Sequence, residues 1–242
     1  FDNLTKHAWV YRQISLLLNR SPGREAYPGD IFYIHSQLVE RAGKMDPKLG
    51  GSMTFFPIVD TLQGDVTGYI PSNLISMTDG QIYTSSNLFN EGFKPAIDLG
   101  LSVSRIGSKV QSSALKKVSV KLRLEYAQYK ELQKLTKLKA KMSEDIEQKI
   151  RRGQALTAVL IQDANLPISE IEEILIFYSF GRGDLDGKSS REIKEFQMDV
   201  LSFAKKTIPQ ALQKLETTKE LTEDITASLD GALDLYFKDK KR

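Results

Sequence analysis

From Leu115 onward the chain repeats apolar side chains three or four residues apart, and this periodicity restricts its fold more than any other feature. Leu115, Val118, Leu122, Tyr126, Tyr129, Leu132 and Leu135 form one stripe, with Lys, Arg, Glu and Gln between them. An α-helix, at about 3.6 residues per turn, gathers such a spacing onto a single face. Later helices carry readable start signals. Ser169 with Glu172 has the spacing of a reciprocal N-terminal cap just after Pro167, and Ser189 with Glu192 repeats it. Gly153, the Gly181–Gly187 stretch and Pro209 are expected to punctuate the run. Ile225, Leu229, Leu233 and Phe237 give a last apolar face before the charged tail Lys238 to Arg242. Residues 111–242 therefore read as an all-α helical bundle. No repeat on the order of 20–50 residues marks a solenoid. The stripe from Leu115 drifts and is followed by short helices, which argues against a coiled coil.

The first 110 residues follow a different pattern. Ile31 to Ile34 and Met53 to Val59 are short apolar-rich runs bounded by Gly, Pro or Asp, and such runs read as buried strands. Helical spacing through Leu38, Val39 and Ala42 lies between them. Strand alternating with helix predicts an α/β layer with a partly parallel sheet, entered mid-domain because no Gly-rich loop precedes it. A sequence opening on Phe1-Asp2-Asn3 reads as a fragment or processed product.

Composition removes several functions. With no cysteine there are no disulfides and no thiolate metal sites or nucleophiles. A net charge of +3 is too small to imply nucleic-acid binding. No apolar run approaches the ~20 residues that a membrane-spanning helix needs. His7 and His35 lie far apart in sequence, which makes a histidine-built metal site an unfavoured expectation.

Four ordered stretches carry an identification. They are Phe1-Asp2-Asn3-Leu4-Thr5-Lys6-His7-Ala8 with Tyr11 to Leu18 after it; Pro22-Gly23-Arg24-Glu25-Ala26-Tyr27-Pro28-Gly29-Asp30 running into Phe32 to Ser36; Tyr69 to Ile82; and Gly100-Leu101-Ser102-Val103-Ser104-Arg105-Ile106-Gly107. In this order they resemble the alpha subunits of F-type ATP synthases, tightly over residues 1–110. Tyr126 to Tyr129 and Gly183 to Asp186 extend the match more loosely. The first stretch resembles the end of the family's Walker B strand and the turn after it. The Ser-Val-Ser-Arg segment, and the lack of the acidic helix-turn of beta subunits, favour alpha over beta.

The resemblance implies an incomplete RecA-like P-loop nucleotide-binding domain over 1–110 and a helical bundle over 111–242. It implies that Arg105 is the arginine finger given to ATP held mainly by an adjacent beta subunit, with Ser76 a small polar group at the same interface. A guanidinium stays charged and offers fixed donors to the oxygens on which phosphoryl transfer accumulates charge. It further implies a nucleotide of the protein's own, ATP or ADP with Mg2+, that is not turned over. Asp2 matches the Walker B carboxylate that holds magnesium, usually through water. Phe89, Lys94, Pro95 and Gln162 match the surroundings of the adenine. The Walker A loop would lie before Phe1, so this polypeptide by itself is expected not to hydrolyse ATP. Implied partners are beta subunits in an alternating hexamer, the central gamma rotor and a delta-type stator. The implied location is peripheral to an energy-coupling membrane.

Three departures stand out. Lys94 replaces the usual arginine, Ala164 a common second glutamine, and Lys134 to Met142 a Phe-rich segment. The last keeps open an F-type-like ATPase driving a different machine, while the fragment-like opening at Phe1 keeps open a helical interaction module without an ATPase role. Arg182-Gly183-Asp184, Asn3-Leu4-Thr5 and Asp184 to Gly187 resemble an integrin tripeptide, a glycosylation acceptor and a calcium loop. Context and glycine spacing discount all three, and the Lys137, Lys139 and Lys141 cluster reads as a solvated helix face.

Overall fold

Asn3 opens the first helix with its side-chain oxygen accepting the Thr5 and Lys6 amides at 2.9 and 3.2 Å, the bond an N-cap residue is selected for. The computed structural model describes residues 3–136 and 143–239. These residues divide into two units. One comprises the sequence up to Ile82 together with Ser102–Ile106; the other comprises Tyr83–Leu101 and everything from Gly107 onward.

In the first unit, helices α1 (Leu4–Leu17), α2 (Ile31–Val39) and α3 (Tyr69–Met77) enclose a small core of Leu4, Ala8, Tyr27, Ile31, Val39, Ile70 and Leu74. Its regular strands are short and antiparallel. β1 (Gly43–Lys44) pairs with β2 (Ser52–Met53), Gly43 opposite Met53, and β3 (Gly80–Gln81) pairs with β4 (Val103–Ser104), Gly80 opposite Ser104. No parallel ladder occurs among the described residues.

Two strand expectations are therefore corrected. Ile31 to Ile34 is the first turn of α2. A four-residue apolar run fits either structure, and its continuation decides: Ile31, His35 and Val39 are buried at helical spacing. Beyond Met53 the second run carries no regular secondary structure, with Phe55 and Val59 packed on the core. It hydrogen-bonds the start of α1 rather than a strand. The Leu4 amide donates to the Ile58 carbonyl at 2.7 Å, and the Asp60 amide donates to Thr5 Oγ1 at 2.9 Å. The two histidines, far apart in sequence, are neighbours in the fold. Packing of α1 on α2 brings His7 Nδ1 to 3.2 Å from His35 Nε2.

The second unit holds α4 (Ser86–Asn90), α5 (Ser113–Ser119), α6 (Leu122–Thr136), α7 (Glu144–Leu160), α8 (Glu170–Arg182), α9 (Ser190–Thr207), α10 (Pro209–Thr218) and α11 (Glu223–Asp239). The single helix expected from Leu115 is two, parted at Val120-Lys121. The break lets α5 pack on α8 while α6 packs on α7. Their common core includes Leu156, Ile174, Phe180, Leu185, Ile193, Phe196, Leu215, Ile225 and Leu229. Pro209 occupies the first turn of α10, and Gly183, at φ 89°, ends α8 in the left-handed conformation that glycine adopts freely.

Both capping boxes form. Glu172 Oε2 accepts the Ser169 amide at 2.8 Å while Ser169 Oγ accepts the Glu172 amide at 3.3 Å, and Ser189 and Glu192 repeat the same distances. Ser189→Ala should lower stability by about 1 kcal/mol. Urea unfolding followed by circular dichroism checks this, with Ser202→Ala as a mid-helix control.

Gly153 does not punctuate. It lies inside α7, where the ring of Tyr129 from α6 rests on it. Asp184 and Asp186 are committed to arginines. Arg182 Nε meets Asp184 at 3.1 Å, and Arg152 bridges Glu125 at 2.9 Å and Asp186 at 3.4 Å. Burial raises both aspartate pKa values above the usual range and outweighs the neighbouring arginine charges, which pull them down. Among the described residues no helix is long and apolar enough to cross a membrane.

Candidate functional site

Two groups of side chains merit attention, one in each unit. The first forms where α3 ends. Thr78 leaves the helix in an extended conformation, so its last carbonyls lack backbone partners and turn to side chains. Thr78 Oγ1 lies 3.1 Å from the Leu74 carbonyl and 2.9 Å from that of Gly80. Arg105 supplies the rest. Its Nη1 donates to the Ser76 carbonyl at 3.2 Å and its Nη2 to the Ile75 carbonyl at 3.1 Å. The Arg105 backbone amide donates to the Asp79 carbonyl at 2.7 Å. A cation at a helix C-terminus also meets the negative end of the helix dipole.

Arg105 is thus pinned while it stays exposed, and no carboxylate pairs with it among the described residues. A guanidinium carries five N–H donors. Two are spent on α3, and the others are available to an anion. Ser76, 29 residues away in sequence, joins Arg105 through its carbonyl; its hydroxyl donates to the Asn73 carbonyl at 2.6 Å.

Sequence reasoning missed the parts that build this corner: the Thr78 hydroxyl, the Asp79 carbonyl and above all Gly80. A Cβ on Gly80 would lie 2.3 Å from the Val103 carbonyl oxygen and 3.0 Å from Ser104 Cα. Only glycine lets β4 lie so close to β3, and Arg105 follows β4 directly. The signal was the turn sequence Thr78-Asp79-Gly80. Gly80→Ala should push β4 outward and displace the guanidinium. A shift of about 1 Å costs on the order of 10²-fold in turnover where the group acts on a reacting phosphate. Steady-state assays of the assembled protein, with Arg105 intact, measure it.

The second group lies in the second unit. Ser85 caps α4, which presents Phe89 at 57% exposure. The Lys94 ammonium stands 4.8 Å from the centre of the Phe89 ring, within cation–π range. Pro95 follows through a cis peptide bond. The Gln162 amide donates to the Lys94 carbonyl at 2.9 Å, so a loop far along the sequence is clamped beside Phe89. Gln162 Nε2 donates to the Leu166 carbonyl at 2.7 Å, which leaves the side-chain oxygen as an outward acceptor. Phe89, Lys94, Pro95 and Gln162 are therefore neighbours: an aromatic face, a cation and an acceptor suited to a planar, anionic ligand. Asp2 lies outside the described residues, as does most of the Lys-rich segment, Lys137 to Met142.

Two family models match the protein. The nucleotide-binding domain of the ATP synthase alpha/beta family covers residues 1–104, and the carboxy-terminal domain of the same alpha/beta family covers 111–236. The chain belongs to the ATP synthase alpha/beta family. Its fold class is accordingly that of a nucleotide-binding domain followed by a helical carboxy-terminal domain, represented here mostly by helices with small sheets. Among curated proteins it is similar to ATP synthase subunit alpha of Helicobacter pylori strain G27, 46% identical over 237 residues. The same protein of Helicobacter acinonychis strain Sheeba gives 46% over 237 residues. Each match covers 98% of this chain and 47% of the relative. The chain thus spans about half the length of the curated relatives it matches. The Arg105 corner falls at the edge of the nucleotide-binding match, and Gln162 falls within the carboxy-terminal one.

Proposed function

We propose that this chain works as part of an alpha subunit in a rotary, ion-translocating ATP synthase or ATP hydrolase, and that Arg105 acts on ATP bound by a neighbouring beta subunit. The observation that carries the reading is the pinned and exposed guanidinium at the end of α3. Charge that builds on a terminal phosphate is stabilised best by donors fixed in advance, since they need no reorganisation when the reaction occurs. The α3 carbonyls hold one edge of the guanidinium, and its remaining donors face outward. Ser76 adjoins the guanidinium through its carbonyl, and its hydroxyl would have to leave the Asn73 carbonyl to donate to that phosphate.

The protein's own nucleotide, ATP or ADP, is assigned to the second group. Phe89 offers a stacking face, Pro95 a rigid edge and Gln162 an acceptor, while Lys94 attracts the anion. Lysine in place of arginine keeps the charge and loses the planar stack. Mg2+ rests on Asp2 and on the resemblance alone; bound there, it would neutralise phosphate charge. The domain division 1–110 and 111–242 belongs to the same proposal, as do beta, gamma and delta-type partners and a place peripheral to an energy-coupling membrane. Exposed Leu17 and Leu18, at 82% and 60%, support a surface that is covered in a larger assembly. The test is turnover of the assembled complex carrying Arg105→Ala, with bound nucleotide counted separately.

A further inference from the structure

Neither candidate group uses the two histidines, yet their arrangement is the most chemically demanding feature of the first unit. His35 sits in the middle of α2 with 1% of its surface exposed. Its Nε2 meets Nδ1 of His7, on α1, at 3.2 Å, and its own Nδ1 is buried without a partner. Only one proton fits between the two facing nitrogens. A buried N–H without an acceptor costs more than a bare lone pair, so His35 carries its proton on Nε2 and donates to His7. His7 keeps its own proton on Nε2.

We propose that the His7–His35 contact is a proton-sensitive latch that holds α1 against α2. A proton added to His7 must go to Nδ1, which turns the acceptor into a donor facing a donor. The rings then separate, or His35 moves its proton to Nδ1 and buries an orphan N–H. A proton added to His35 instead leaves a cation in the core. Both routes loosen the contact.

The other titratable groups on the packed elements give no relief. On α1, Lys6 is exposed, Tyr11 donates to Asp30 at 2.6 Å, and Arg12 lies over the Tyr27 ring. On α2 the remaining titratable side chain is Tyr33, whose hydroxyl accepts from Gln37. On α3 it is Tyr69, beneath Arg24. Asp60, from the segment beside α1, is bonded to Asn3. Burial, with the charge of His7 second, lowers the His35 pKa from 6.5 to about 4.

The sign follows from linkage. Below pH 6.5 the unfolded protein binds a proton that the folded protein refuses, so stability is complete above that value and is lost as pH falls towards 4. At pH 5 the folding constant of the α1–α2 pair should be about 30-fold below its value at pH 7.5.

Trp9, the one tryptophan of the sequence, lies two residues from His7 and reports this pair. Urea unfolding of the protein, followed by Trp9 emission at the two pH values, should show the loss. The circular dichroism of the helix-rich second unit should change much less. His7→Gln keeps an acceptor for His35 and removes the imidazole charge that helps to lower the His35 pKa, so the acid transition should move to lower pH with stability at pH 7.5 retained. Proton NMR titration of the imidazole signals supplies the second measurement. A His35 ring that titrates at its ordinary value, or an acid transition unmoved by His7→Gln, overturns the latch.

Discussion

Arg105→Ala in the assembled complex is expected to lower multi-site turnover by about 10³–10⁵-fold, the range that arginine fingers contribute to phosphoryl transfer, with nucleotide occupancy close to unchanged. The asymmetry is the point. Arg105 is anchored by the Ile75 and Ser76 carbonyls and by its own backbone bond to Asp79, not by a ligand-binding pocket of its own polypeptide. On the proposed role, its removal would leave the other contacts to the nucleotide in place. An interaction made chiefly in the transition state lowers kcat and kcat/KM together. Arg105→Lys should recover little. An ammonium is a point charge with its three donors at a tip, and it cannot hold the two α3 carbonyls while offering a planar pair of donors outward. Steady-state kinetics of the complex, alongside the number of nucleotides retained after gel filtration, separates the outcomes. Near-normal turnover in Arg105→Ala would refute the proposed role.

What was legible in the sequence depended on how far apart the deciding residues lie. Ser169 with Glu172 and Ser189 with Glu192 close bonds within three residues, and both caps form as expected. Ile31 to Ile34 misleads because four apolar residues satisfy a strand and a helix equally. The arbiter is Val39, two turns on, buried with Ile31 and His35. Contacts between distant segments are less legible still. Nothing local pairs Arg105 with Ser76, and only the resemblance put them together. Clamping of Gln162 to Lys94 likewise spans two loops that share no sequence signal. The approach of His7 to His35 crosses 28 residues, and separation in sequence argued against it. Glycine deceives in both directions. Gly80 reads as an ordinary turn residue and is a point of backbone contact, while Gly153 reads as a break and lies within an unbroken helix.

That second glycine sets the largest stability effect to be expected. By helix propensity alone, Gly153→Ala should stabilise α7 by about 1 kcal/mol. Packing reverses the sign. A Cβ at this position would lie 2.1 Å from Tyr129 Cδ2, 2.2 Å from Cγ and 2.6 Å from the tyrosine Cβ. The last two decide the matter. The tip of a long residue can swing aside, but Cγ moves only by a change of χ1 that carries the whole ring with it, and Cβ only if the backbone of α6 moves. Tyr129 is held in turn, 7% exposed in the crossing of α6 and α7. Separating the helices would also disturb the neighbouring Arg152 bridge to Glu125. Overpacking of this kind costs about 1–3 kcal/mol and sometimes more, and a clash with backbone-proximal atoms belongs at the upper end. Gly153→Ala should therefore destabilise the helical unit by about 3 kcal/mol net. A thermodynamic cycle assigns the cause. Tyr129→Ala alone leaves a cavity and lowers stability, whereas Tyr129→Ala in the Gly153→Ala background should restore part of what the new methyl group removed. That coupling, of opposite sign to the two single effects, is what a steric origin requires. Urea unfolding of the four proteins measures it, and strictly additive losses would place the cost of Gly153→Ala outside the α6–α7 crossing.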